Sequence, residues 1–101
     1  MIKVLHLTLF KRWFDEILSG TKKIEYREVK PFWKKRLFNP DGSIKKYDEI
    51  MFTHGYGANR PKMRVEFLGV HELNGKYEII LGKILESINI NQEQGINTGK
   101  K

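Results

Sequence analysis

Gly20-Thr21-Lys22-Lys23-Ile24-Glu25-Tyr26-Arg27 is the stretch on which the fold turns. Its glycine is suited to the left-handed conformation that closes a helix. The residues after it alternate as a short strand, with Ile24 and Tyr26 on one face and Glu25 and Arg27 on the other. Lys22 has the wrong parity for the Glu25 face and must reach it from the turn or across a bulge. Charges of both signs on so short a strand are costly to desolvate unless they pair or face a wet cleft. The same charges also suit a solvated edge strand protected from aggregation. The stretch alone leaves both readings open.

Upstream, residues 11–19 read as a helix. Trp13, Phe14, Ile17 and Leu18 recur on one apolar face, and Asp15 and Glu16 are expected near the favourable end of the helix dipole. Before it, residues 2–10 read as a strand with Leu5, Leu7 and Leu9 on one face. His6 and Thr8 on the opposite face line a cavity or meet water. Downstream, Pro31 suits the first position of a helix running to about Leu37. Phe32, Trp33 and Leu37 form its apolar side; Lys34, Lys35 and Arg36 form a basic one. Asn39-Pro40-Asp41-Gly42 is a turn.

The remaining chain is β-rich. A third strand spans 47–53, with Ile50 and Phe52 on one face. Residues 54–62 form a loop carrying His54, Tyr56, Asn59, Arg60 and Lys62, all able to contact a ligand. A fourth strand spans 63–73, its face shifting past Val65 and Phe67 so that Leu68 and Val70 turn the other way, with Gly69 at a bend. Asn74-Gly75 is a hairpin turn, and a fifth strand begins at Lys76, reaching Leu85 and extending toward Ile90. The expected order is β-α-β-α-β-β-β, an α+β fold built as a small, partly closed mixed β-barrel of about five strands with two short helices. One domain over 1–90 is expected, and 91–101, poor in apolar residues, reads as a flexible tail.

The chain has 101 residues, a size that fits one domain. It has no cysteine, so disulfides and thiolate metal sites are excluded, and its three histidines lack the spacing of a metal-binding helix. No metal and no cofactor are expected. The N-terminal residues lack signal-peptide anatomy and no apolar run is long enough to span a bilayer, so a cytoplasmic protein without membrane attachment is expected. Nineteen Lys and Arg oppose twelve Asp and Glu, a net charge of +7. Between Lys22 and Arg36 seven basic residues stand against two acidic ones. A local basic excess interleaved with Tyr26, Phe32, Trp33 and Tyr56 has the makings of a single-stranded nucleic-acid surface, where cations hold phosphates and rings stack on bases.

Three kinds of chemistry fit these residues. RNA or a nucleotide can be bound, with Lys22 and Arg27 on phosphate or a base edge and Glu25 orienting them or accepting a hydrogen bond from a base. His6, Thr8, Tyr26, Trp33 and Tyr56 are further candidate contacts. Lys30, Lys34, Lys35, Arg36, Arg60 and Lys62 would hold the backbone. Metal-independent cleavage of a phosphodiester needs a proton acceptor, a proton donor and a cation near the developing charge; His6, His54, Tyr26, Tyr56, Lys22 and Arg27 supply those types, and Lys22, Glu25 and Arg27 are the catalytic candidates. The third option is a protein-interaction module using Phe32 and Trp33.

Gly20-x-Lys22-x-x-Glu25-x-Arg27, following a helix that ends Ile17-Leu18-Ser19, resembles the signature of ASCH domains in the PUA-like superfamily of small β-barrels. Leu7-Thr8-Leu9 and the Trp13-Phe14 helix also resemble the family's opening. The resemblance covers residues 5–29 most closely and extends through the strands to about Leu85. It implies a cleft between barrel and helices and a role in RNA or modified-nucleoside chemistry. Some relatives bind RNA, one is described as a ribonuclease, and one branch is an acetylcytidine amidohydrolase whose catalytic lysine matches Lys22. Glu25 stands where that branch has a nucleophilic threonine, Glu66 is the residue offered for its second carboxylate, and Phe10-Lys11-Arg12 stands where the family commonly has a proline.

Overall fold

The computed structural model describes residues 1–90. The elements run β1 (Val4–Thr8), α1 (Lys11–Leu18), β2 (Ile24–Glu28), α2 (Pro31–Leu37), β3 (Glu49–Thr53), β4 (Lys62–Leu73) and β5 (Lys76–Ile88). The expected order is therefore observed; β3 begins two residues later than read. The segment expected to be a flexible tail lies outside the described residues. No described helix is long and apolar enough to cross a membrane.

The five strands form one mixed sheet in the order β1-β3-β4-β5-β2. β1 pairs parallel with β3, so the connection through α1, β2 and α2 carries the chain across and back. The other pairings are antiparallel. The sheet curls into a half-barrel whose two edges, β1 and β2, do not pair as strands among the described residues. Its concave face holds the core. Leu5 and Leu7 pair with Ile50 and Phe52, which pair with Val65 and Met63, and all six are buried. Phe14 and Ile17 of α1 and Leu37 of α2 join the same cluster, as the apolar stripe on each helix requires.

Two local devices shape this sheet. The first lies in the long β4–β5 pair, whose register shifts between Arg64 and Gly69. Extra residues there change side-chain parity, so Val65 and Val70 are both buried while Leu68 is exposed. Leu68 and Val70, expected to turn the same way, are thus separated: Leu68 is exposed and Val70 returns to the core. In the bulge, Glu66 accepts a hydrogen bond from the Lys83 backbone N–H at 3.0 Å. The second device is the Asn74-Gly75 turn, where both residues have positive φ, as a type I′ hairpin demands.

α1 ends as its sequence predicts. Thr21 N–H bonds to the Glu16 carbonyl and Gly20 N–H to that of Ile17, with Gly20 at φ +88°. This is a Schellman closure. Asp15 and Glu16 do not lie in the first turn, correcting the helix-dipole expectation. They pair instead with Lys11 and Arg12 one turn earlier. α2 spans the expected residues, with Pro31 in its first turn. Its end is held by Leu37 in the core and by Tyr47, whose hydroxyl donates to the Arg36 carbonyl at 2.6 Å.

Candidate functional site

Strand β2 is the site's foundation. Its antiparallel register sets Glu25 opposite Ile79 and Arg27 opposite Tyr77, and directly opposed residues point to the same sheet face. Ile79 and Tyr77 are buried core residues. Glu25 and Arg27 therefore face the concave interior, and Tyr26 faces out, half exposed. The charged side of the strand is the inner one, so a solvated edge strand does not describe it.

The three charges meet. Glu25 is buried at 6% exposure, with Arg27 Nη2 2.9 Å from Oε2 and Lys22 Nζ 3.6 Å from Oε1. Lys22 overcomes its parity through the helix closure. Its backbone N–H, like that of Thr21, bonds to the Glu16 carbonyl, which lifts it out of the strand and over Glu25. The ammonium also lies 5.2 Å from the Trp13 ring centroid and 4.9 Å from that of Tyr26. Arg27 reaches across the open seam: Nη2 donates to the Thr8 carbonyl on β1 at 3.3 Å. Its guanidinium lies 4.8 Å from the Trp33 ring centroid. Arg27 Nε is buried and has no hydrogen-bond partner among the described residues.

A cleft of about 720 Å³ opens here, within the usual range for small-molecule sites. It is lined by the end of β1 and start of α1 (Thr8, Leu9, Phe10, Lys11, Trp13), by β2 (Glu25 to Glu28), by Trp33, and by His54, Gly55 and Tyr56 of the loop after β3. Parallel pairing of β1 and β3 puts Thr8 beside Thr53, which brings the two lining segments together. Tyr56 is almost fully exposed, whereas the His54 ring packs edge-on against Phe14 at 5.0 Å. At the rim, a hydrogen bond from Lys30 holds the Glu28 carboxyl below the usual carboxylate range.

Of the residues singled out from sequence, Thr8, Glu25, Tyr26, Arg27, Trp33 and Tyr56 line the cleft, and Lys22 stands against Glu25 beside it. Lys34, Lys35 and Arg36 are exposed on the helix that supplies Trp33, and Arg36 stacks on Phe32 at 3.7 Å. His6, Arg60 and Lys62 lie outside the cleft. Strand alternation turns His6 to the convex face beside Met51, and Lys62 pairs with Thr53 and Ile88. Glu66 is also away from it, engaged in the β4–β5 bulge.

Sequence reading gave little weight to Trp13, Lys11, Phe10 and Glu28 as lining residues. Trp13 sits on the apolar face of α1, where a core role was the natural expectation. Its position at the helix's first turn, next to the seam, is a tertiary fact. No three His, Asp or Glu side chains among the described residues cluster as a metal site would require.

A second ionic cluster lies on the convex face. Arg64 pairs with Glu49 through Nε and, at 3.1 Å, through Nη2, and with Glu86 at 2.7 Å. The bonds from Arg64 hold the Glu49 carboxyl below its usual range and raise the Arg64 value. Each of its carboxylates is hydrogen-bonded to Arg64 across strands and none of the three residues lines the cleft, which marks it as a sheet clamp.

Comparison with protein-family models, characterised proteins and solved structures finds no match for this chain.

Proposed function

We propose that the chain binds RNA or a nucleotide in the cleft beside β2. The observation that carries this reading is the buried Glu25 flanked by Lys22 and Arg27 and opening onto aromatic walls. Cations there meet phosphate or a base oxygen, the carboxylate meets base N–H groups, and Trp13, Trp33 and Tyr56 offer faces for stacking. Exposed Lys34, Lys35 and Arg36 on α2 continue the cationic surface past Trp33 and would track the backbone. The reading treats the chain as an ASCH-type member of the PUA-like barrels acting on cytoplasmic RNA or nucleotides. It is supported by the curled five-stranded sheet and by the helix-glycine-strand sequence that delivers Lys22, Glu25 and Arg27 to one point.

The test is fluorescence anisotropy with short single-stranded RNAs across a salt series. Affinity is expected to fall steeply with salt, and Lys34→Glu/Lys35→Glu to weaken binding and flatten that dependence. Absence of binding at low salt overturns the reading. Binding that ignores both salt and the double substitution removes the α2 surface from it.

A second reading has one observation in its favour. Lys22 and Glu25 stand 3.6 Å apart, and Glu25 and His54 line the same cleft, so proton-transfer groups and a cation gather around one cavity. Metal-independent cleavage of RNA, or hydrolysis of a modified base, is the activity they would serve. Turnover in EDTA that Lys22→Ala abolishes, with the fold intact by circular dichroism, supports it. No product from an RNA panel and from acylated nucleosides refutes it.

A further inference from the structure

We infer that the cleft selects guanine, with Glu25 reading the base's N1–H and N2–H edge; this rests on the nucleotide-binding reading above. A carboxylate offers about four acceptor positions. The two cations beside Glu25 approach one oxygen each, Arg27 at Oε2 and Lys22 at Oε1, so acceptor capacity remains on both oxygens. Glu25 is more than nine-tenths buried yet lines the cleft.

The nucleobases differ sharply as partners for such a group. Guanine places two N–H donors side by side, N1–H and the N2 amino group, at the spacing of two carboxylate oxygens, with the O6 acceptor next in line. Cytosine and adenine present one N–H beside a bare ring nitrogen, whose lone pair would face the second oxygen. Uracil presents one N–H between two carbonyls, and both carbonyls are repelled by a carboxylate. With guanine seated on Glu25 and its O6 toward Oε2, O6 falls beside Arg27, the cation at that oxygen. There Arg27 is the cation within reach: its Nη2 is engaged with Glu25 and Thr8, and its side chain lines the same cleft. Arg27 is itself held by Trp33 and by the Thr8 carbonyl, so the acceptor and donor are fixed relative to each other before ligand arrives.

The deciding comparison is the binding of GMP and IMP to the full chain by calorimetry at one low salt concentration, with AMP, CMP and UMP alongside. IMP keeps O6 and N1–H and lacks only the N2 amino group. Loss of one hydrogen bond to a charged acceptor predicts that IMP binds about tenfold to a hundredfold more weakly than GMP, with the other three weaker still. Glu25→Gln is expected to bring GMP to within about threefold of IMP. Equal affinity for GMP and IMP, or preference for another base, overturns the guanine assignment and leaves nucleotide binding standing. Failure of all five nucleotides and of single-stranded RNA to bind overturns both. If Glu25→Gln does not fold, the GMP-to-IMP ratio of the unaltered chain decides alone.

Discussion

Replacing Arg27 by methionine removes a cation from beside a buried carboxylate and leaves most of the apolar stem in place. Three contacts disappear: the 2.9 Å ion pair with Glu25, the 3.3 Å hydrogen bond to Thr8 across the seam, and the stack on Trp33. Breaking a buried pair from one side costs about 3–5 kcal/mol, because the other charge stays buried. Lys22 remains 3.6 Å from Glu25, and the Arg27 side chain is 18% exposed, so the lower end, about 3 kcal/mol, is expected. In urea, followed by circular dichroism because the substitution sits next to Trp33, that is a fall of about 1–3 M in the unfolding midpoint. Glu25→Leu/Arg27→Met removes both charges and should recover all but about 1 kcal/mol of the loss. An Arg27→Met unfolding free energy within about 0.5 kcal/mol of the parent would refute the claim that Glu25 is a buried charge held by its partner. A double variant no better than the single one would assign the loss to packing.

Other substitutions probe the scaffold. Gly20→Ala meets nothing within 4 Å, yet φ is +88°, so the cost is conformational alone, about 1 kcal/mol in thermal or urea unfolding. Gly82→Ala differs, because its new Cβ would lie 2.7 Å from the Glu66 Cβ. Overpacking of about 1–3 kcal/mol is expected; Glu66→Ala, which keeps the Cβ, should relieve it only in part, and Glu66→Gly, which removes the Cβ, should relieve most of it in a double-mutant cycle. The Glu49 carboxyl is held below its usual range by Arg64, so the pair's contribution is fully present above the unfolded value. It is lost as pH falls from about 4.5 through the lower folded value. Arg64→Met should therefore flatten the acid limb of a pH–stability profile, and an unchanged limb would show that other carboxylates govern acid unfolding.

How much of this was legible in the residues depends on range. Local codes were readable: the Leu5-Leu7-Leu9 alternation, the apolar stripe of α1, Pro31 opening α2, Gly20 closing α1 and Asn74-Gly75 turning the hairpin all specify structure over a few residues. The inward orientation of Glu25 and Arg27 was not readable, because alternation fixes which side chains share a face but not which face is inner. That was settled by pairing with Ile79 and Tyr77 on β5, some fifty residues away. Val70 failed for a related reason. The bulges that return it to the core are a property of the β4–β5 pair, and only Gly69 hinted at them. Lys22 is the converse case: its strand parity argued against it, and the helix closure that repositions it was visible in Gly20 but not carried one residue further.

The seam between β1 and β2 raises a question of economy in charge placement. Apolar side chains at positions 25 and 27 would extend the cluster formed by Ile79, Tyr77 and Leu81 and avoid desolvating two ionised groups. Replacing such buried charges by well-packed apolar residues is often neutral or stabilising. Stability alone therefore does not account for Glu25 and Arg27. The convex-face cluster sharpens the contrast: there Arg64 is hydrogen-bonded to both of its carboxylates, and no group is left over. At the seam, Arg27 Nε is unpartnered and Glu25 keeps acceptor capacity toward a cleft. Unspent hydrogen-bonding capacity in a concave, aromatic-walled place is what a ligand completes. This makes a specific demand on the double variant discussed above. Glu25→Leu/Arg27→Met should fold nearly as well as the parent and bind no guanine nucleotide, separating the two roles in one protein. A double variant that is both unfolded and inactive would mean that the seam's charges are part of the fold itself.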